Sequence, residues 1–179
     1  MSSRRILVAM LILVCTGSSV DPSHTSRSSL LVTAARAIGA KNPNPLFRNP
    51  DYLAARFLGP RERSLLRDGA TPFVNALDQD FYAALDGLPS ADLILGVTLR
   101  TKLIDSVLEQ SLKDGVGQIV ILGAGFDSRG SRFQGRLKGV LLFEVDHPPT
   151  QAHKKRRVIE VFGALPGHIR YVPMDFTRD

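Results

Sequence analysis

The order of apolar and polar positions divides the chain into a helical first part and an alternating second part. Apolar residues recur at helical spacing over residues 30–38 and again over 90–114, where Gly115 supplies the stop. Proline and glycine delimit two shorter helices between them, at residues 51–58 and 73–85. The longest helix is expected to bury one apolar face, made of Leu103, Ile104, Val107, Leu108 and Leu112.

Beyond Gly115 the pattern changes to that of strands. Residues 118–122, 139–146 and 169–174 are short apolar runs rich in β-branched residues, and segments of helical composition separate them. This alternation favours parallel strands joined by right-handed crossovers. The predicted fold class is therefore α/β, with N-terminal helices followed by the first three parallel strands of a Rossmann-like doubly wound sheet that is incomplete.

The start of the chain resembles a secretory signal. Arg4 and Arg5 precede an apolar run over residues 6–15, and small or polar residues follow it. The run is too short to span a bilayer as a helix, so no stable membrane span is expected. Either it is a true signal or the start is non-native. We expect an extension and linker over residues 1–25 and a main domain over 26–179, with helices in 26–114 and βαβ units in 116–179.

Composition excludes several classes of function. The net charge is +6, yet the basic residues are scattered apart from the run 154–157, for which a solvated helix face is the simpler interpretation. No zinc-finger, RNA-binding or basic-zipper pattern is present, so nucleic acid is not an expected partner. With Cys15 as the single cysteine and four scattered histidines, we expect neither a disulfide framework nor a metal site.

Candidate chemistry begins where the first predicted strand of the sheet ends. Gly123 and Gly125 follow the buried run, and a helix is expected to start shortly after them. Glycines allow a ligand to approach the backbone, and the N–H groups of a helix start attract polar groups. This arrangement is typical of a cofactor-binding loop, although ordinary strand-to-helix turns use glycine as well.

Acidic residues mark the ends of the next two strands. Glu144 and Asp146 come about twenty residues after the loop, at the distance where ribose hydroxyls are usually bound. Asp175 and Phe176 follow the third strand. Because the carboxyl ends of parallel strands share one edge, these side chains are expected at one rim. The plainer alternative is that one or both of Glu144 and Asp146 cap the following helix or lie in solvent.

The residues after the glycines favour one cofactor class over another. A dinucleotide fingerprint would place a third glycine at Ser128, and Asp127 would repel a pyrophosphate. An acid there suits a cofactor that carries an ammonium and a sulfonium, and Arg100 could pair with its carboxylate. A nicotinamide dinucleotide oxidoreductase remains the alternative if Asp127 points away.

Three ordered motifs, at residues 100–105, 122–129 and 143–148, resemble those of the leucine carboxyl methyltransferase-like family of S-adenosylmethionine-dependent methyltransferases, and residues 28–37 and 46–58 resemble its N-terminal helices. The resemblance implies a cofactor site formed by Arg100, Gly123, Gly125, Asp146, Asp175 and Phe176. In it the arginine would bind the carboxylate of S-adenosyl-L-methionine and the glycines would line its methionine portion. Asp146 would bind the ribose, with Glu144 as an alternative, and the last two residues would flank the adenine.

The resemblance further implies methyl transfer to an oxygen, such as a carboxylate, on a small molecule or peptide, in the cytoplasm unless residues 6–15 direct export. The family's domain continues for several more strands, so we expect a fragment in which residues 119–122 form an unpaired edge open to self-association. No catalytic residue can be assigned, and a non-catalytic remnant is the further alternative. Gly130 departs from the family's loop, where a better helix former is expected.

Overall fold

The structure is a computed structural model that describes residues 25–89, 91–176 and 178, together with the backbone of residues 6–10. In chain order the elements are strand β1 (Ile6–Met10), helices α1 (Arg27–Gly39), α2 (Pro60–Ala76), α3 (Phe81–Asp86) and α4 (Asp92–Lys113), strand β2 (Gln118–Leu122), helix α5 (Arg129–Arg132), strand β3 (Leu141–Asp146), helix α6 (Pro148–Phe162) and strand β4 (Ile169–Pro173). Single turns of 3-10 helix lie at Ala54–Phe57 and Gln134–Arg136.

The sheet is parallel throughout and confirms the predicted α/β class. Its four strands lie in the order β1-β2-β3-β4, with Leu122 opposite Val145 and Asp146 opposite Pro173. One apolar cluster supports it, formed by Leu108, Val116, Ile119, Ile121, Ala124, Phe133, Leu137, Leu142 and Ile169. The three strands expected after Gly115 all form, and their carboxyl ends meet at one edge of the sheet.

Strand β1 changes the prediction for the start of the chain. Ile6–Met10 pairs in parallel with Gln118–Leu122, residue for residue, so the edge of β2 that we expected to be unpaired has a partner. A sheet edge presents unpaired backbone N–H and C=O groups, and an apolar segment of the same chain can satisfy them. The fold therefore draws on a segment before Ser26. The rest of the predicted extension, residues 1–5 and 11–24 with Cys15, lies outside the described residues.

The chain divides into two compact units, Met1–Ser26 with Asp105–Asp179, and Arg27–Ile104. The second unit is helical, and Leu30, Ala34 and Ile38 of α1 are fully buried in it. A buried ion pair joins Arg36 to Asp51, with 2.7 Å between Nη1 and Oδ2. This unit ends at Ile104, within α4, whereas the helical region expected from the sequence extends to residue 114.

Two of the predicted short helices differ in the structure. Residues 51–58 form only the turn Ala54–Phe57, and Gly59–Pro60, expected as a stop, instead begin α2. Pro60 suits the first helical position, and the Glu62 carboxylate accepts the Gly59 N–H at 2.9 Å. The expected helix at 73–85 is divided between α2 and α3. Gly59 and Pro60 thus marked a boundary but were assigned to the wrong side of it. Pro72 was placed correctly, because Asp68–Ala70 have non-helical backbone angles and a second helical segment begins after them.

The inward face of α4 also differs from the prediction. Leu108 is buried, whereas Leu103 is 65% and Val107 46% exposed. Thr101 and Asp105 are buried in place of those two apolar residues. Polar residues can occupy an inward face when other groups satisfy their hydrogen bonds, and a hydrophobic pattern does not report such groups.

No helix in the described part of the chain is both long and apolar enough to cross a membrane.

Candidate functional site

The glycine turn after β2 folds over the end of β3. Gly123 and Gly125 have φ angles of +61° and +49°, in the left-handed region that costs a residue with a Cβ about 1–2 kcal/mol. The Ala124 N–H donates to the Val145 carbonyl at 3.1 Å. Phe126 is buried, and its ring lies edge-on to His153 with 5.4 Å between centroids. The turn is thus fixed to β3 on one side and to α6 on the other.

Asp146 lies directly against this turn. Its carboxylate accepts hydrogen bonds from the backbone N–H of Gly125 and, at 2.6 Å, from that of His147. The residue is 9% exposed. Burial raises the pKa of the Asp146 carboxyl above its ordinary value, and the two N–H donors oppose that change. The structure therefore brings together the predicted loop and the predicted ribose-binding acid.

The end of β4 adjoins the same rim. The Met174 N–H donates to the Asp146 carbonyl at 2.9 Å, so Asp175 and Phe176 follow at the carboxyl edge of the sheet. The Asp175 carboxylate lies 3.6 Å from Arg178 Nε, and Phe176 is 54% exposed. A half-exposed aromatic ring beside a polar rim is accessible to a planar group.

Arg100 lies in α4, within the helical unit Arg27–Ile104, and its side chain is half-buried. The glycines and acids of the rim belong to the other unit. The expected pairing of Arg100 with a cofactor carboxylate stays a prediction.

Glu144 does not reach the rim, contrary to its expected role as an alternative ribose ligand. Its side chain is 2% exposed and pairs with Lys154 Nζ at 2.5 Å. Burial raises the pKa of the Glu144 carboxyl, and the Lys154 charge counteracts this. Lys154 is itself buried, so the basic run 154–157 is not wholly a solvated helix face. The sequence placed Glu144 at the rim with Asp146, but Gln151 and Lys154 of α6 cover it.

A buried ionic network behind the glycine turn escaped the sequence analysis. Asp127 was expected to face a cofactor, yet its carboxylate accepts hydrogen bonds from the Arg129 N–H, at 2.7 Å, and from the Arg129 guanidinium. Arg129 Nε also donates to Asp105 at 2.7 Å. Because Asp127 is paired with Arg129, it would repel a pyrophosphate less strongly than we expected from the sequence. The spacing of an acid two residues before an arginine in a loop could have indicated this ion pair.

Gly130 also has a reason that the sequence did not show. A Cβ at this position would lie 2.4 Å from Ile169 Cδ1 and 3.2 Å from Ile169 Cγ1. The glycine therefore allows α5 to approach β4 closely, as the third glycine of a dinucleotide fingerprint allows a helix to pack against a strand. Helix α5 is only four residues long, so it lacks the extended helix start that the loop was expected to lead into.

Comparison with known proteins places this arrangement in context. A family model described as "Leucine carboxyl methyltransferase" matches residues 29–179. The "Putative S-adenosyl-L-methionine-dependent methyltransferase YktD" of Bacillus subtilis (strain 168) is 30% identical over 164 residues, which cover 87% of this chain and 54% of that protein. A "Putative S-adenosyl-L-methionine-dependent methyltransferase" of Mycobacterium ulcerans (strain Agy99) is 32% identical, covering 83% and 46%.

A third relative, from Mycolicibacterium vanbaalenii and named in the same words, is 31% identical over 167 residues, which cover 90% of this chain and 51% of the relative. The chain thus spans about half the length of the curated relatives that it matches.

Proposed function

The chain belongs to the leucine carboxyl methyltransferase family, and from this premise we propose that it binds S-adenosyl-L-methionine at the carboxyl edge of its sheet and serves methyl transfer to a carboxylate oxygen of a small molecule or peptide. The names of its relatives, S-adenosyl-L-methionine-dependent methyltransferases, support the cofactor. Carboxyl transfer is the finer part of the proposal, and the description of the family supports it.

The observation that carries the proposal is the hydrogen bond between the Gly125 N–H and the Asp146 carboxylate. It sets a turn of bare backbone beside a buried acid at the edge where parallel sheets bind nucleotide-like ligands. An ionised carboxylate accepts hydrogen bonds from both ribose hydroxyls, and Gly123 and Gly125 leave room for the methionine portion. Arg100 would pair with the carboxylate of that portion, and Asp175 and Phe176 would flank the adenine.

The proposed reaction requires little proton transfer by the protein. When bound, the cofactor supplies an electrophilic methyl group on a positively charged sulfur. An acceptor carboxylate is already ionised at neutral pH, so no general base is required to activate it. The residues of the rim act by holding the cofactor in one orientation, and alignment of this kind supplies much of the acceleration in such displacements. We place this activity in the cytoplasm.

Isothermal titration calorimetry with S-adenosylmethionine and S-adenosylhomocysteine tests the binding step. We expect saturable heat with both, and an Asp146→Asn variant should bind about tenfold or more weakly because a charge-assisted hydrogen bond contributes about 1.5–3 kcal/mol. Asp86→Asn, at an exposed position at the end of α3, is the matched control and should bind normally. Saturable binding of NADH in place of either ligand would overturn the proposal.

The chemistry of the product tests the acceptor class. Incubation with cofactor carrying a tritiated methyl group, followed by mild base, releases volatile methanol from a methyl ester but not from a methyl ether or a methylated amine. We expect base-labile label on a carboxylate acceptor drawn from panels of small acids and peptides. Label that resists base on every acceptor would contradict carboxyl transfer and leave the cofactor assignment intact.

A further inference from the structure

A buried hub links the glycine turn to helix α4. The carboxylate of Asp105, which is 7% exposed, accepts hydrogen bonds from Arg129 Nε at 2.7 Å and from both terminal nitrogens of Arg132, at 2.7 and 3.0 Å. Arg132 Nε donates to Ser128 Oγ at 2.8 Å. Arg129 in turn binds Asp127. Asp105 therefore contacts Arg129 directly, and it is connected to Asp127 through Arg129 and to Ser128 through Arg132.

This network contains two negative and two positive side chains. The carboxylates of Asp105 and Asp127 face the guanidinium groups of Arg129 and Arg132, and all four side chains are at least mostly buried. Paired charges of this kind are stable when each is hydrogen-bonded, but removing one leaves an uncompensated charge that the surroundings must move to accommodate. The residues in direct contact with these charges are those that follow the glycine turn, so a change at Asp105 acts on that stretch of the loop first.

The two halves of the proposed cofactor site depend on different anchors. On the ribose side, Asp146 holds Gly125 and is fixed by β3. On the other side, residues 127–129 are held by Asp105 through its arginines. A change at Asp105 should consequently disturb the path of the glycine turn while leaving the ribose-binding acid in place.

We infer that Asp105 is a positioning residue that sets the shape of the glycine turn for the methionine half of the cofactor, acting through Arg129 and Arg132. The inference rests on the proposed function and extends it. Asp105 does not bind the cofactor in this scheme. Its effect is confined to ligands that carry the amino-acid portion.

Two ligands separate this role from a general structural one. S-Adenosylhomocysteine carries the amino-acid portion, whereas 5′-methylthioadenosine keeps the nucleoside and the sulfur but lacks it. For Asp105→Asn we expect the Kd of S-adenosylhomocysteine to rise about tenfold or more, a tenfold change being about 1.4 kcal/mol. The Kd of methylthioadenosine should stay within about twofold of the wild-type value. Asp105→Glu, which restores the charge, should recover part of the lost affinity.

Arg132→Lys provides a second variant in case Asp105→Asn does not fold. It keeps the positive charge but loses the forked contact with Asp105 and the Nε bond to Ser128, so it should show the same selective loss in milder form. Glu109→Gln is the matched control. Glu109 lies one turn after Asp105 on the same helix, and its ion pair with Arg136 is exposed. It should bind both ligands normally.

Three results would overturn the inference. Equal weakening of both ligands in Arg132→Lys would indicate a general structural role, and unchanged binding in a folded Asp105→Asn would indicate none. A Glu109→Gln variant as impaired as Arg132→Lys would point to the helix rather than to the hub. Failure of the wild-type protein to bind either ligand would instead contradict the proposed function, so the two failures are distinguishable.

Discussion

The backbone N–H of Gly125 donates a hydrogen bond to the carboxylate of Asp146, so the turn that follows β2 is anchored to the last residue of β3. The two residues are 21 positions apart in the chain. Their contact has a consequence for both partners: the Gly125 N–H orients the Asp146 carboxylate, and the carboxylate anchors the turn at Gly125. Substitutions at this contact should therefore affect ligand binding more than stability.

Gly125→Ala should reduce the affinity for S-adenosylhomocysteine by about tenfold or more while lowering stability by about 1 kcal/mol, the cost of a Cβ in the left-handed region. Gly139→Ala is the matched control, since Gly139 has a φ of +79° and a Cβ there meets nothing within 4 Å. Both variants should lose similar stability in thermal unfolding, but only the first should lose affinity in calorimetry. Equal affinities would show that the turn does not approach the ligand.

Cofactor binding should weaken as the pH falls, beginning above the ordinary carboxyl pKa of 3.8, because burial raises the pKa of Asp146 and only the ionised form accepts two ribose hydroxyls. The effect on stability has the opposite sign. In that range the folded state binds more protons than the unfolded state, so the free energy of unfolding falls as the pH rises. Calorimetric titrations across the acidic range, with Asp146→Asn as the reference, should show a pH-dependent Kd in the wild type alone.

Breaking the buried pair between Glu144 and Lys154 should be costly only when one partner remains. Glu144→Gln leaves a buried ammonium group and should lower the free energy of unfolding by about 3–5 kcal/mol, whereas replacing both residues with Met should cost much less. Urea unfolding measures both values. The double variant should still bind S-adenosylhomocysteine, because Glu144 is absent from the rim. Loss of binding in the double variant would indicate that Glu144 contributes to the cofactor site.

Gly130→Ala should destabilise the protein by about 1–3 kcal/mol, since the new methyl group would overlap Ile169 Cδ1. Ile169→Val removes that atom and costs about 0.5–1.5 kcal/mol by itself. The double variant should be more stable than the sum of the two losses predicts. Denaturant midpoints at a constant m-value provide the test, and strict additivity would indicate that α5 moves away from β4 instead.

Deletion of residues 1–10 should expose the edge of β2. Because Ile6–Met10 pairs with Gln118–Leu122, the β2 amides should exchange hydrogen faster without it, and the variant should associate with itself at micromolar concentration. Mass-spectrometric hydrogen exchange on a peptide covering β2 measures the effect. A peptide covering β3, which is paired on both sides, is the internal control. Unchanged protection of β2 would show that the pairing contributes little.

Local pattern was sufficient for the main elements. The strands at 118–122, 141–146 and 169–173 and the helix at 92–113 follow from runs of apolar residues and their spacing, and these depend only on neighbouring residues. The convergence of Gly125, Asp146 and Asp175 on one edge followed from the rule that parallel strands end together. The single turn at 54–57 and the break between α2 and α3 could not be predicted in this way. Proline and glycine mark a boundary without showing which of the two neighbouring elements they belong to.

The sequence by itself thus determined the α/β class, the positions of the strands after residue 115 and the family motifs, because each is written in nearby residues. Only the tertiary structure decided that Glu144 is buried against Lys154, that Asp105 holds the loop through two arginines, and that Ile6–Met10 covers the edge of β2. The physical reason is that such partners lie far apart in the chain. A charged or apolar residue has many possible partners, and only packing selects one.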